Sequence, residues 1–185
     1  VGNITTDQNN DERMVVFLEK ALEATLIMDG IVANSMQERK DFWRIRHAIP
    51  EAEKYTGPAI YHDISVPISK IPELIEQSIA ELDEYIGTST VFAFGHVGDG
   101  NLHFTKGKPA SMDKAPFLNE TANVHRIVHE VAVKLGGSFS AEHGIGTKLK
   151  NELEHFSDPV KLKLLRTIKN SMDPKNIMNP NKLIG

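Results

Sequence analysis

The 185-residue sequence predicts an α+β fold, and three observations carry this prediction. Segments with a helical repeat of apolar residues are interspersed with short segments in which apolar and polar residues alternate. Two of the short segments stand on either side of a glycine-rich turn, which is typical of an antiparallel hairpin. Two further helical segments follow near the C-terminus. We therefore expect a ferredoxin-like antiparallel sheet with packed helices and a C-terminal helical extension.

The sequence of the N-terminal part predicts two helices and one strand. The polar opening VGNITTDQNNDER indicates a loop or the remnant of a strand. Apolar residues recur at helical spacing from Glu12 to Asp29, and Gly30 ends this run. The segment IVANS is a short strand candidate. The segment MQERKDFWRIRHAIPEAEK then predicts a helix that Pro50 disturbs.

The remaining chain predicts the sheet and the other helices. Alternation in AIYHDISVPI indicates a strand that ends at Pro67, and STVFAFGH and NLHFTK are two more strands. The segment GGSFSAEHGIGTK indicates a strand-like stretch that opens into a loop. Helices are expected at four places: Ser69 to about Tyr85, Asp113 to Leu135, Thr147 to His155, and Pro159 to Met172.

Composition excludes several classes of function. The net charge is -4 and the pI is near 6.1, which argues against a nucleic-acid partner. No apolar run approaches the roughly 20 residues of a membrane span, and no signal segment opens the chain. The absence of cysteine excludes disulfides and thiolate chemistry and leads us to expect the cytoplasm. Because Val1 stands first instead of Met, we expect a piece of a longer polypeptide.

Two histidines flank the glycine-rich turn in GHVGDGNLH. If residues 98–101 form a four-residue hairpin loop, His96 faces His103, and Phe94 faces Thr105 as the next pair. Directly opposed residues share a sheet face with Cβ atoms about 4.5–5.5 Å apart, so both imidazoles could reach one metal ion. A cross-strand pair of partly buried histidines that binds nothing explains the same spacing. Both interpretations stay open.

A second cluster, SAEHGIGTK, places Glu142 beside His143. The carboxylate could be a third metal ligand, and the imidazole a base that titrates near neutral pH. Three protein ligands with an open position are typical of a catalytic metal site. The alternative is an exposed helix N-terminus with two ordinary first-turn residues. Elsewhere, Arg46 could bind a carboxylate or belong to a solvated helix face.

Three motifs in order, GHVGDGNLHF, GGSFSAEHGIGTK and MDPKNIMNPNKLI, resemble the C-terminal domain of FAD-linked oxidases. The upstream segments FWRIRHAI and HDISVPI fit the same family, so the resemblance covers essentially the whole chain. It implies an FAD-dependent oxidoreductase that acts on CH–OH groups by hydride transfer to the flavin. It also implies that residues 1–185 form the substrate and metal (cap) domain, and that the N-terminal FAD-binding domain is absent from this sequence.

The resemblance further implies roles for individual residues. His143 would lie at the flavin and act as the base for the substrate hydroxyl. The implied ligands of a divalent metal, usually zinc, are His96, His103 and Glu142. The implied substrate contact is Arg46, with Tyr61 and Thr105 at positions that would grip the distal end of a substrate. The implied flavin contacts are His143 and Asn179.

Departures from the family pattern bear on the substrate. Tyr61 stands where the D-2-hydroxyglutarate branch carries lysine, Thr105 where asparagine is frequent, and Pro50 where a hydroxyl residue is common. Because a buried carboxylate needs a partner, the missing cation favours a lactate-like 2-hydroxy acid. The alternatives are an FAD-dependent enzyme for another alcohol or sugar acid, and a non-catalytic subunit or binding module. A homodimer is a candidate assembly, and the sequence does not define the electron acceptor.

Overall fold

A computed structural model describes residues 10–184, which fall into a first unit ending at Glu51 and a second unit beginning at Ala52. In the first unit, helix α1 spans Asn10–Glu23. Residues 10–13 of the predicted N-terminal loop are therefore helical, and residues 1–9 lie outside the described residues. The predicted helix end at Gly30 was wrong. Thr25 already adopts a left-handed conformation (φ 54), and Leu26, which extended the apolar repeat, is 78% exposed.

Helix α2 spans Met36–Glu53 and confirms the helix predicted for MQERKDFWRIRHAIPEAEK. The segment IVANS is not a strand, because its last residue begins the helix: the Ser35 hydroxyl accepts a hydrogen bond from the Glu38 amide (3.1 Å). The Glu38 carboxylate in turn accepts the Asn34 amide (2.7 Å), a reciprocal arrangement close to a capping box. Pro50 lies inside the helix, three residues before its end, so its missing amide removes one intrahelical hydrogen bond without ending the helix there.

The second unit contains the strands β1 (Ala59–Ser65), β2 (Val91–Phe94) and β3 (Asn101–Gly107). They form an antiparallel sheet in the order β1-β3-β2. Its helices are α3 (Ile71–Ile86), α4 (Lys114–Asn119), α5 (Thr121–Lys134), α6 (Lys150–Phe156) and α7 (Pro159–Met172). The predicted α+β fold, with an antiparallel sheet and C-terminal helices, is confirmed.

One face of the sheet forms the core with α3 and α5. The alternation of β1 places Ile60 and Ile64 on this face, and both are buried. Each such side chain contributes about 1.5–3 kcal/mol when it leaves water. The other members of this core include Leu74, Leu82, Leu102, Phe104, Val124 and Val128. The opposite face therefore carries the odd-numbered residues of β1 and of β3, and the candidate site lies on this face.

The long helix predicted from Asp113 to Leu135 is two helices, α4 and α5, separated at Glu120. The Glu120 amide donates a hydrogen bond to the Phe117 carbonyl (3.1 Å), and the Thr121 hydroxyl donates one to the Leu118 carbonyl (2.6 Å). Both contacts close a tight turn in place of continuous α-helical bonds. Because Phe117 is fully buried, this turn also fixes α4 onto the core.

The predicted hairpin register was wrong by two residues. Phe94, not His96, pairs with His103, and Phe92, not Phe94, pairs with Thr105. The connection is six residues long and contains a 3-10 turn at Val97–Asp99. Glycine is required at both ends of this connection: a Cβ on Gly95 would lie 2.3 Å from the Asn101 carbonyl oxygen, and one on Gly100 would lie 2.1 Å from that of Val66. These close approaches hold the turn against the start of β3 and against the residue that follows β1.

Candidate functional site

Three segments of the second unit meet on the sheet face that points away from α3 and α5. His103 belongs to β3, His96 to the turn after β2, and Glu142 and His143 to the loop after α5. One potential ligand atom from each of His96, His103 and Glu142 lies within 4.8 Å of the others. We call His96, His103, Glu142 and His143 the open-face site.

The histidines of the open-face site converge even though they are not paired across the ladder. The rings of His96 and His103 are 6.3 Å apart between centroids, because the 3-10 turn carries His96 back toward β3. His96 Nδ1 lies 2.6 Å from Glu142 Oε1, and the His143 ring stacks on His103 at 6.0 Å. The side chains of His96, Glu142 and His143 are 55%, 43% and 70% exposed, so the site is open to solvent.

Asp63 lies beneath this site and was not singled out from the sequence. It stands opposite His103 in the β1–β3 pair. Its Oδ2 accepts the backbone amides of Glu142 and His143, each at 2.8 Å, and its Oδ1 accepts the Asn101 side-chain amide at 3.0 Å. The strand alternation does place Asp63 on the polar face. No local pattern, however, indicates partners about 80 residues farther along the chain.

The carboxylate of Asp63 is held in its ionised form. Its side chain is only 9% exposed, and this burial alone would raise the pKa. The hydrogen bonds from the His143 and Glu142 amides outweigh burial and leave the pKa of Asp63 below its usual value. Asn101, which is buried, extends the network because its Oδ1 lies 3.3 Å from His96 Nδ1.

The loop that carries Glu142 and His143 is not a helix N-terminus, so that alternative is wrong; α6 begins only at Lys150. The backbone of the loop is tied to β1 by the Ala141 amide, which donates to the Asp63 carbonyl at 3.1 Å. Gly144 and Gly146 follow with φ of 72° and 53°, the left-handed region that glycine adopts without strain. The turn they form directs the chain away from the sheet after His143.

The other predicted site residues occupy different positions. Tyr61 and Thr105 pair across β1 and β3 on the face of His103; Tyr61 is 49% exposed, whereas Thr105 is 1% exposed. Asn179 is exposed in the C-terminal tail, which reaches the glycine loop where the Leu183 amide donates to the Gly146 carbonyl (2.9 Å). Arg46 lies on α2 in the first unit, and its place in the site stays a prediction.

The ligand set of the open-face site fits a divalent metal ion. Two imidazoles and one carboxylate are ligands that zinc accepts, at about 2.0–2.2 Å from the ion. Ligand atoms around such an ion are roughly 3.3–3.6 Å apart. Those of His96, His103 and Glu142 lie within 4.8 Å of one another, and His96 Nδ1 is 2.6 Å from Glu142 Oε1. Because His96 and Glu142 are exposed, rotation of their side chains can bring the ligand atoms to these separations without moving the sheet.

A second group of histidines occupies the core face of the same sheet. His62 of β1 and His125 and His129 of α5, which we call the buried histidine cluster, have ring centroids 4.7–5.8 Å apart. Burial, followed by the neighbouring histidine, lowers the pKa of His62 to about 3 and that of His125 to about 4. His129 Nδ1 contacts Glu152 Oε2 at 3.0 Å. Within residues 10–184, this cluster is not among the groups whose ligand atoms converge within 4.8 Å.

Within residues 10–184, no helix has the length and apolar character needed to cross a bilayer.

Comparison with known proteins gives consistent matches. The family described as "FAD linked oxidases, C-terminal domain" matches residues 2–183. The chain is 34% identical over 181 residues to a D-2-hydroxyglutarate dehydrogenase of Stutzerimonas stutzeri, covering 98% of this chain and 39% of that protein. It is 36% identical over 180 residues to the mitochondrial D-2-hydroxyglutarate dehydrogenase of Arabidopsis thaliana (97% and 31%). The chain is also 33% identical over 178 residues to the mitochondrial D-2-hydroxyglutarate dehydrogenase of Danio rerio, covering 95% of this chain and 32% of that protein. The chain thus spans 31–39% of the length of these relatives.

Proposed function

We propose that the chain forms the substrate- and metal-binding domain of an FAD-dependent 2-hydroxy acid dehydrogenase. This proposal starts from the family: the chain belongs to the FAD linked oxidases, C-terminal domain. The observation that carries this proposal is the convergence of two imidazoles and a carboxylate beside a fourth, exposed imidazole. The relatives named D-2-hydroxyglutarate dehydrogenase support the reaction class. Because the chain spans only 31–39% of their length, we assign the main FAD-binding surface to additional polypeptide.

The residues of the open-face site divide into a metal-binding half and a proton-accepting half. His96, His103 and Glu142 would hold the divalent ion, which we propose to be zinc from its two-imidazole, one-carboxylate ligand set. A divalent ion held there would polarise the substrate hydroxyl, lower its pKa and orient the adjacent carboxylate. His96 and Glu142 remain exposed enough to receive both the ion and a small substrate.

His143 would accept the proton of the substrate hydroxyl. Its backbone is held by Asp63 while 70% of its side chain is exposed, so the imidazole is fixed at one end and accessible at the other. FAD, when bound, would supply the hydride acceptor for the substrate Cα–H. We propose that His143 and Asn179 contact the flavin and that Arg46 binds the substrate carboxylate.

Two observations favour different distal groups on the substrate. The relatives are named for D-2-hydroxyglutarate, a dicarboxylate. Tyr61, exposed on the site face, offers a phenol in place of a cation and favours a shorter, lactate-like 2-hydroxy acid. Thr105 does not present its side chain to solvent in this structure, so Tyr61 is the better discriminating position. The cytoplasmic location, a homodimer and the absence of a nucleic-acid partner remain predictions.

Flavin reduction by the full-length protein that contains this chain tests both the reaction and the substrate. D-2-hydroxyglutarate and D-lactate are compared in wild type and in Tyr61→Lys, which we expect to shift kcat/KM toward the dicarboxylate. Sugar acids and alditols in the same panel test the alternative enzyme class. If no 2-hydroxy acid, sugar acid or alditol reduces the flavin although zinc is bound, the chain is a binding module.

The role of His143 is tested in the same assay. We expect His143→Asn to slow flavin reduction by a factor of order 10²–10⁴, as for a lost general base, and to retain the metal. His155→Asn, at an exposed histidine of α6, is the matched control and should reduce flavin like wild type. An unchanged reduction rate in His143→Asn would exclude His143 as the base.

A further inference from the structure

We infer that Asp63 is the positioning residue of the open-face site, whose single carboxylate orients both the metal-binding half and the proton-accepting half. The inference rests on the proposed function, because it assigns a role within the same site. It concerns a residue that neither contacts solvent freely nor belongs to the three proposed ligands: its side chain is 9% exposed.

The two oxygens of Asp63 serve different halves of the site. Oδ1 accepts the Asn101 amide and lies 3.8 Å from Nδ1 of His103, so it faces the proposed ligands. Oδ2 accepts the amides of Glu142 and His143 and lies 3.4 Å from Nδ1 of His143, so it faces the proposed base. One rigid side chain on β1 thereby fixes the relative position of the β3 histidine and the loop.

This arrangement also selects which imidazole nitrogen carries the proton. An anionic carboxylate beside Nδ1 of His103 and of His143 stabilises the proton on that nitrogen. Nε2 of His103 then carries the lone pair that can bind a metal. Nε2 of His143 likewise carries the lone pair that can accept the substrate proton. Carboxylate-to-histidine contacts of this kind orient metal ligands in many proteins, and their loss typically weakens metal binding about 10–100-fold.

Asp63 is better suited to positioning than to coordination. Ligand atoms of Asp63, Glu142 and His143 also come within 4.8 Å of one another. The oxygens of Asp63, however, already accept three hydrogen bonds, two of them from the backbone of the loop that carries the other two residues. Coordination through Asp63 would have to give up these bonds, and the loop would then lose its attachment to the sheet.

A matched control exists in the C-terminal tail. Asp173 is also buried (5% exposed) and also accepts two backbone amides, those of Ile177 and Met178, each at 2.9 Å. Its third partner is the Lys169 ammonium group instead of an imidazole. Asp63→Asn and Asp173→Asn therefore remove the same kind of loop attachment, and only the first acts on histidines.

The test is competitive zinc titration of the purified chain, combined with long-range ¹H–¹⁵N NMR of the imidazoles at a pH where they are neutral. We expect Asp63→Asn to weaken zinc binding about 10–100-fold and to shift His103 and His143 away from the Nδ1-protonated form. Asp173→Asn should bind zinc within about twofold of wild type and keep its tautomers. Asp63→Glu retains the charge and displaces the oxygens by a methylene. It should also weaken zinc binding, and it replaces Asp63→Asn if that variant unfolds.

Wild-type affinity together with wild-type tautomers in a folded Asp63 variant would overturn the inference. A wild-type chain that binds no zinc would instead contradict the proposed metal site. In that case the tautomer comparison still decides the role of Asp63, because it requires no metal. The two failures are therefore distinguishable.

Discussion

The two histidine groups of this protein lie on opposite faces of the same pair of strands. On β1, His62 points into the core and Asp63 points to the open-face site, and on β3 Phe104 and His103 alternate in the same way. The open-face histidines are partly to largely exposed, whereas His62 and His129 are 4% and 2% exposed. Because successive side chains of a strand point to opposite faces, one residue position decides whether an imidazole is available to a ligand or buried in the core.

The carboxylates separate the two groups further. Glu142 is exposed and contacts one histidine of the open-face site. Glu152, beside the buried histidine cluster, already binds the Arg126 guanidinium (2.8 Å) as well as His129 (3.0 Å). Negative charge is therefore available to a cation on the open face and is already neutralised on the core face. Histidine proximity alone therefore does not make a metal site, because solvent access and a carboxylate that is not already neutralised by a cation are also needed.

Acid pH should produce the largest difference between the two groups. The pKa values of His62 and His125 are lowered to about 3 and about 4 in the folded protein, below the value of about 6.5 of an unfolded chain. Below pH 6.5 the unfolded state therefore binds more protons than the folded state. The contribution of these two neutral histidines to the unfolding free energy is complete above pH 6.5 and is lost as the pH falls toward 4 and then 3. Each group contributes a slope of about 1.4 kcal/mol per pH unit within its own window.

Urea unfolding at pH 7, 6 and 5 measures this slope. We expect His125→Gln to make the unfolding free energy less dependent on pH, and His155→Gln, at an exposed position, to leave the slope unchanged. Equal slopes in wild type and His125→Gln would mean that His125 is not a source of the acid sensitivity.

Alanine at one histidine of each group should separate metal binding from stability. We expect His62→Ala to cost about 2–3 kcal/mol of unfolding free energy, as for a large-to-small change in a core, with zinc affinity close to wild type. His103→Ala, at 23% exposure, should cost about 1 kcal/mol but lower zinc affinity by roughly 100-fold or more. Chemical denaturation and zinc titration on both variants give the comparison, and a reversed pattern would exchange the roles assigned to the two faces.

Substitutions of Glu142 and Glu152 should show the same contrast between zinc binding and unfolding free energy, with smaller effects. Glu152→Gln should lower the unfolding free energy by about 1–2 kcal/mol, because charged hydrogen bonds to Arg126 and His129 are weakened. Glu142→Gln should change it by less than about 0.5 kcal/mol while weakening zinc binding. Thermal unfolding of the metal-free variants is the measurement. Comparable destabilisation by both substitutions would remove the distinction between the two carboxylates.

Local patterns predicted the elements well and their junctions poorly. Alternation identified β1 and both faces of it, and apolar periodicity identified α3 and α7. The register around His96 could not be predicted, because it depends on the close backbone approaches of Gly95 and Gly100 to other segments. The break at Glu120 likewise depends on side-chain capping inside what reads as one apolar repeat.

The candidate ligands were more accessible to sequence reasoning than the residue that positions them. Histidine and glutamate beside glycine-rich turns are recognisable as chemistry, and the structure brings His96, His103 and Glu142 together. Asp63 is a single acidic residue in a strand, and its function depends on a loop about 80 positions away. Contacts over such separations are set by tertiary packing, which no local period encodes.

An anomalous-diffraction map of zinc-soaked crystals of the chain shows directly whether the open-face site binds the metal. We expect one peak at this site, about 2.0–2.2 Å from ligand atoms of His96, His103 and Glu142, with Asp63 still bound to the Glu142 and His143 amides. A peak within the buried histidine cluster, a peak coordinated by Asp63 instead of the two histidines, or no peak at saturating zinc would contradict it.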